Sequence, residues 1–335
     1  MKTRFSEVYG ISHPVAAAGM AFVTLSPALP VAVCEAGALG SFAAGVLPIE
    51  LIRQNIRAIR GQTIKPININ LITLFASDAH IDMCIEERVD VVSFHWRHPS
   101  KEWIDRLQAA GIKVWEQVGT ADATKLALDD GVDLIIAQGS EAGGHCYGVL
   151  PTFVAVPAIV DVADGALVLA AGGIVDGRGL AAALALGADG VSVGTRLLAT
   201  VESDVDEDYK ARVCKAGSTD TILSSMFGQE MPDFNPMRVL SNKVVQDWHD
   251  RQDEISDADR EQVVGHMALA GQELELKKFS SLMPVRGTTG DLDQMALPVG
   301  QGLSGIHDVL PAAMVIEDMV SEAIEIMHRQ SGCIQ

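Results

Sequence analysis

Two glycine-rich stretches and one histidine concentrate the chemistry of this sequence. The run Gln138-Gly139-Ser140-Glu141-Ala142-Gly143-Gly144-His145-Cys146 opens on an amide and presents a single imidazole. The Gln138 amide both donates and accepts, as the edge of a flat heteroaromatic ring requires. His145 can move a proton near neutral pH. The second stretch is Ala171-Gly172-Gly173-Ile174-Val175-Asp176-Gly177-Arg178-Gly179, and Gly194-Thr195-Arg196 follows it. Glycines here let backbone amides approach an anion, Asp176 can cap the following helix, and Thr195 adds a hydroxyl. Either loop alone reads as a tight turn. Side by side at helix N-termini, they form a phosphate cradle that needs no basic side chain.

Weaker candidates stand at the ends of apolar runs. Met20 follows an Ala-Gly run over which a cofactor could lie, and Asn70 and Gln117 are amides that need partners at a strand end. For each, hydrogen bonding in the core or at the mouth is the plainer reading. Phe94-His95-Trp96-Arg97-His98 could wall a substrate pocket, with Cys146 and Gln301 (in Gly300-Gln301-Gly302) as further pocket candidates. No metal site is expected, because no carboxylate in the sequence is placed to complete a set with His95 and His98.

Composition narrows the class. The formal net charge of −19 argues against nucleic acid, whose phosphates require clustered Lys and Arg, and against docking on an anionic membrane. The five cysteines, at 34, 84, 146, 214 and 333, contain no CxxC pair and read as reduced thiols. The opening MKTRFSEVYG has no apolar h-region, and the apolar stretches are interrupted well short of a membrane span, so a cytoplasmic location is expected. The sequence is compatible with a homodimer and specifies no oligomeric state.

The elements that must position these residues follow one rhythm. Short apolar runs at 14–18, 38–42, 66–71, 89–94, 112–118, 132–137, 166–170 and 189–193 alternate with helical patterns, among them 27–36, 49–60, 100–110, 121–130 and 177–186. Strand-helix alternation means a parallel sheet with right-handed crossovers. Eight units predict a closed (β/α)8 TIM barrel over 1–200, since the first strand is followed by GMAFVTLS rather than the glycine fingerprint of an open doubly wound sheet. In such barrels, catalytic groups lie at the strand C-termini and phosphates after strands seven and eight, which is where the glycine loops fall. Residues 201–305 break the rhythm: they are acidic, with a Gly/Pro/Met-rich stretch at 226–237, and read as a mostly helical cap. Residues 306–335 read as a C-terminal segment whose helix, near 311–329, packs back on the barrel with its three methionines as core filler.

QGSEAGGH (138–145), AAGGIVDGRGLAAALALGADGVSVGTR (170–196), and AGM with CEAGALG (18–20 and 34–40) together resemble the nitronate monooxygenase family, formerly 2-nitropropane dioxygenases. The likeness runs over most of 8–200 and recurs at VGQGLSGIHDVLPAAMVI. It implies FMN held non-covalently at the top of the barrel, with Gly172, Gly173, Gly194 and Thr195 around the phosphate. Met20, Asn70, Gln117, Gln138 and Gly143 would then line the ribityl chain and ring, and His145 would be catalytic. The implied reaction oxidises an alkyl nitronate with dioxygen to a carbonyl compound and nitrite. Flavin-dependent enoyl-thioester and quinone reductases are similar and carry the same His loop; for them the partner would be NAD(P)H. The sequence departs from the family at Cys146, often Arg in relatives, and in the loop FHWRHP.

Overall fold

In the computed structural model, which describes residues 1–229 and 231–331, eight parallel strands form a ring. They are β1 (Val15–Ala17), β2 (Gly40–Ala43), β3 (Ile67–Ile72), β4 (Val91–His95), β5 (Lys113–Val118), β6 (Leu134–Gln138), β7 (Leu167–Ala171) and β8 (Gly190–Val193). The order is β1-β8-β7-β6-β5-β4-β3-β2, and a parallel bridge between Ala16 and Leu39 closes it. This is the TIM barrel that the alternation predicts.

Period two decides what each strand offers. On β3, Ile67, Ile69 and Leu71 pack outward into the core beneath the helices, while Asn68 and Asn70 face the barrel lumen. On β5, Trp115 and Gln117 share the inward face, with the aromatic below and the amide above. The lower end is shut by helix Arg4–Tyr9, whose Phe5 and Tyr9 rings pack edge-on against Trp115. Trp115 Nε1 donates to Tyr9 Oη over 2.6 Å. With one end plugged, a ligand can enter only at the strand C-termini.

Helix Ile49–Arg60 shows how the outer ring is held. Ile52, Ile56 and Ile59, spaced for one helical face, are buried on the barrel, while Arg53 and Arg57 reach Glu87 at the end of the next helix. Helices Asp78–Glu86 and Thr152–Val160 complete the ring, although the sequence reading singled out neither.

Three sequence expectations are corrected here. Residues 201–305 are not mostly helical: strands Thr221–Ser224 and Met237–Leu240 pair antiparallel, and hairpin Val263–Leu269/Gln272–Lys277 pairs with Thr289–Gly290. The hairpin turns at Ala270-Gly271, both in the left-handed region (φ 52° and 77°). Its charges sit on exposed strand faces, and charge density alone does not distinguish those from helix faces. The acidic run after Asn242 is cut into short pieces, Lys243–Trp248, His249–Glu254 and Asp257–Arg260. In the C-terminal helix, Ala312–Ser331, Met319 is buried but Met314 and Met327 are exposed, so one methionine of the three is core. That helix lies on helix Gly177–Ala185, where a Cβ on Gly177 would fall 2.4 Å from Ala323 N, so glycine is what permits the approach. Cys333 and residues 332–335 lie outside the described residues.

Candidate active site

A cavity of about 240 Å³ opens at the strand C-termini. Of the residues that the sequence singles out, Met20, Asn70, His95, Gln117, Gln138, Gly143, His145, Gly172, Gly173, Gly194 and Thr195 all line it. Two do not. Cys146 is buried with its thiol directed at the carbonyls of Ala142 (3.1 Å) and Gly144 (3.5 Å). The cause is strand alternation: Gly144–His145 pairs with Met237 and Arg238, so consecutive side chains at 145 and 146 point opposite ways. Burial pushes the Cys146 thiol up to about 11, so it stays protonated. Gln301 contributes its backbone, donating N–H to Glu141 O, while Gly300 and Gly302 are the residues on the wall.

The glycine loops build one cradle. Gly172 and Gly173 sit at φ 109° and 71°, and a Cβ on Gly172 would meet Thr152 Oγ1 at 2.9 Å and Gly139 O at 3.0 Å. Asp176 caps the helix through the amides of Arg178 and Gly179. Glu141 accepts from the Thr152 amide, and the Thr152 hydroxyl, 2.9 Å from both the Glu141 carboxylate and Gly172 O, shares its one proton between them, which fixes the loop from behind. Thr195 Oγ1 accepts from Gly300 N over 2.9 Å, which draws the 300–302 loop across the cradle. Among the described residues, the amides of Gly173, Gly194 and Thr195 make no hydrogen bond. Clustered free amides bordering a cavity are an anion site. Arg196 does not join them, because its guanidinium pairs with Asp308.

The amides above the lumen are already engaged. Asn70 Nδ2 donates to Ser93 Oγ, and Gln117 Nε2 lies 2.9 Å from His95 Nδ1. Gly19 makes room for Asn70, since a Cβ there would stand 2.1 Å from its Cγ. Gln138 lines the cavity and has a second task. Its Nε2 donates to His145 O and its Oε1 accepts from Tyr147 N, so it pins the histidine loop. Gln138→Leu should therefore uncouple His145 position from the barrel. Two part-buried backbone groups lose their partners, at a cost toward the lower end of about 1–3 kcal/mol each, and both denaturant midpoint and turnover should fall. Native-like stability would show that the loop is held elsewhere.

His145 borders the cavity, but its Nδ1 is sealed away without a hydrogen-bond partner, which leaves Nε2 to exchange a proton with a ligand. Its pKa is pushed down to about 3, first by burial and then by His95, with the Phe234 backbone working the other way. Burial lowers His95 to about 4. Both imidazoles are neutral at pH 7. Below the ordinary histidine value of about 6.5, the unfolded chain takes up protons that the folded one refuses. These two groups therefore lower stability as pH drops from about 6.5 toward 4. The Tm should be lower at pH 5 than at pH 7, and His95→Asn should narrow the difference; an unchanged difference would mean that His95 is not buried as neutral imidazole.

His98 lies apart from His95, with Nδ1 2.8 Å from Glu116 and Nε2 2.9 Å from Asp130. Burial works against its charge, yet the two carboxylates prevail and raise its pKa. The pairing anchors the end of the FHWRHP loop outside the cavity.

Much of the remaining wall was not singled out in the sequence. Phe22, Val46 and Phe75 come from barrel loops, and Met231, Phe234 and Leu282 from the 201–305 region. The Gly/Pro/Met-rich composition at 226–237 was the one signal pointing there. Among the described residues, no Lys, Arg, Asp or Glu lines the cavity.

A family model described as nitronate monooxygenase matches residues 2–82 and 75–322. The (3aS,4S,5R,7aS)-5-hydroxy-7a-methyl-1-oxo-octahydro-1H-indene-4-carboxyl-CoA dehydrogenase of Rhodococcus jostii is 39% identical over 247 residues, covering 73% of this chain and 67% of that protein. A probable nitronate monooxygenase of Staphylococcus aureus is 27% identical, with 97% of this chain and 98% of that protein aligned. FabK from Thermotoga maritima superposes with a TM-score of 0.82 at 32% identity over 100% of both chains. A nitroalkane oxidase from Streptomyces ansochromogenes, at 24% identity, TM-score 0.78 and 97% and 99% coverage, shares the fold.

Proposed function

The chain belongs to the nitronate monooxygenase family of flavin oxidoreductases, and we propose that it uses FMN to oxidise or reduce a thioester whose acyl group is uncharged and largely apolar. The observation that carries this reading is the cavity wall: it is rich in Phe, Val, Ile, Leu and Met, bears no ionic side chain among the described residues, and holds two neutral imidazoles. An anionic substrate would surrender its hydration there without gaining a countercharge. An α,β-unsaturated or saturated acyl group would not. The 39% identical relative is named for a CoA thioester, whose acyl end would enter such a cavity while its charged CoA stays outside.

The residues present suit FMN. The free amides of Gly173, Gly194 and Thr195 would hold its phosphate, and the Gly300–Gly302 loop drawn over the cradle favours a phosphate that ends the cofactor. Small residues Ala18 and Gly19 and the thioether of Met20 offer a flat apolar surface for a ring system, beside the amides of Asn70 and Gln117. When bound, the flavin supplies exchange of a hydride equivalent with the substrate.

His145 handles the accompanying proton. The unprotonated Nε2 of the neutral imidazole would take the proton leaving the carbon beside the thioester carbonyl, and in the reducing direction the imidazole would first have to be protonated to return one there. The depressed pKa makes the imidazole a weak base, so the burial that keeps water out also sets how much flavin chemistry must drive the transfer. Gln138 holds the His145 loop by its backbone, and Glu141 with Thr152 holds the cradle behind it.

Nitronate oxidation with dioxygen is the second reading. The family description and the 27% identical relative support it. Anaerobic mixing separates the two. On the thioester reading, an enoyl-CoA reoxidises dithionite-reduced protein stoichiometrically, while propionate 3-nitronate leaves the oxidised spectrum unchanged. Bleaching by nitronate, together with no response to enoyl-CoA or acyl-CoA, overturns the thioester reading in favour of the second.

A further inference from the structure

Phe234 lies face to face with His145, ring centroids 3.5 Å apart and planes 28° from parallel. Trp96 stands edge-on to both rings, 5.6 Å from His145 and 5.1 Å from Phe234. With Ile72, Phe75 and Met231 they form a small apolar cluster separate from the barrel core. Among the described residues, the side chains of Trp96 and Arg97 tie Asp233 to the barrel, while Phe234 is buried against Phe75, Trp96 and His145. Trp96 Nε1 donates to Asp233 O, and Arg97 pairs with the Asp233 carboxylate at 2.9 Å. That pair is 53% and 75% exposed, hence screened and weak. Trp96 and Arg97 themselves sit at φ 65° and 89°, a conformation costly for side-chain-bearing residues and held only where surroundings enforce it. A small cluster apart from the main core, a strained receiving loop and an exposed ion pair are the marks of a contact that opens below the global stability.

We propose that Met231–Asn235 is a lid on the substrate side of the cavity, latched by Arg97–Asp233, and that Phe234 is its specificity-determining residue. Phe234 is stacked on the imidazole and lines the cavity beside it, so an acyl group larger than the space left next to His145 requires the ring to withdraw. The room it vacates selects flat apolar groups over bulky ones. The lid's role in selection rests on the reading that substrate reacts beside His145; its existence does not.

The test uses FMN-loaded protein and reads both parts separately. Carbethoxylation of His145 by diethyl pyrocarbonate, followed by peptide mass spectrometry, reports exposure of the neutral imidazole whatever the substrate is. Asp233→Asn should accelerate it about fivefold, which corresponds to an exposed pair of about 1 kcal/mol, and Phe234→Ala should accelerate it further. Equal rates in native protein and both variants overturn the lid. Asp233→Asn is a surface change, so it keeps the test valid should Phe234→Ala fold poorly. Phe234→Ala should also raise kcat/KM for branched or polycyclic acyl-CoAs at least about tenfold relative to crotonyl-CoA, with kcat little altered. Faster carbethoxylation with no change in that ratio keeps the lid and overturns the selection. Faster carbethoxylation with no thioester turnover in any form instead condemns the thioester reading and leaves the lid standing.

Discussion

His145→Asn keeps its flavin and loses turnover by roughly 10²- to 10⁴-fold, the range that a positioned acid or base contributes. Asparagine preserves polarity and approximate size, so the stack against Phe234 is replaced without opening a large void. The Gln138 bonds that hold the loop go to backbone atoms of residues 145 and 147, and the substitution leaves them in place. The amide cannot accept a proton at Nε2's position. Flavin content and visible spectrum should therefore match the native protein while single-turnover reduction or reoxidation slows. Because His145 is already neutral at pH 7, its loss should not abolish a pH inflection near the ordinary histidine value; a native profile without that inflection is part of the same expectation. Native-like turnover in the variant would remove His145 from the mechanism.

Gly173→Val yields protein that purifies largely without flavin. The residue sits at φ 71°, where a β-branched side chain is an outlier costing about 1–3 kcal/mol. Its Cβ would come 3.3 Å from Glu141 Cβ, against the side chain that braces the loop through Thr152. The added methyl groups stand beside amides that now donate to nothing, and a phosphate there would lose several charge-assisted bonds at once. Absorbance of acid-released flavin measures occupancy, and far-UV circular dichroism with a thermal melt confirms that the barrel remains folded. Full occupancy in a folded variant would move the phosphate elsewhere. Loss of FMN here, with retention in His145→Asn, would separate the cradle from the proton-transfer group.

How much of this was legible depends on how local each signal is. The strand read at 66–71 lies at Ile67–Ile72, and the helix read at 49–60 is Ile49–Arg60, because periodicity within one window reports which face is buried. Asp176 as a cap, and glycines 172 and 173 in a turn that requires positive φ, are likewise decisions made within a few residues. The family likeness rested on these same local motifs.

The use of each residue once the chain closed on itself was not local. Gln138 reads as a ligand amide and also holds its own loop, because that loop folds back over β6. Cys146 follows His145 in sequence yet turns away from it, because the edge strand pairs with Met237 and Arg238, some ninety residues on. Phe234 reaches His145 across a comparable separation, and nothing near either residue encodes the meeting. The eight βα units, the positive-φ turn at Gly172 and Gly173 and the Asp176 cap could be read from local pattern, since hydrophobic period, glycine conformation and capping act over a turn or two. The tertiary structure alone decided which surface covers the mouth of the barrel and which polar atoms remain free inside it, since those depend on pairings that chain closure makes and no local pattern records.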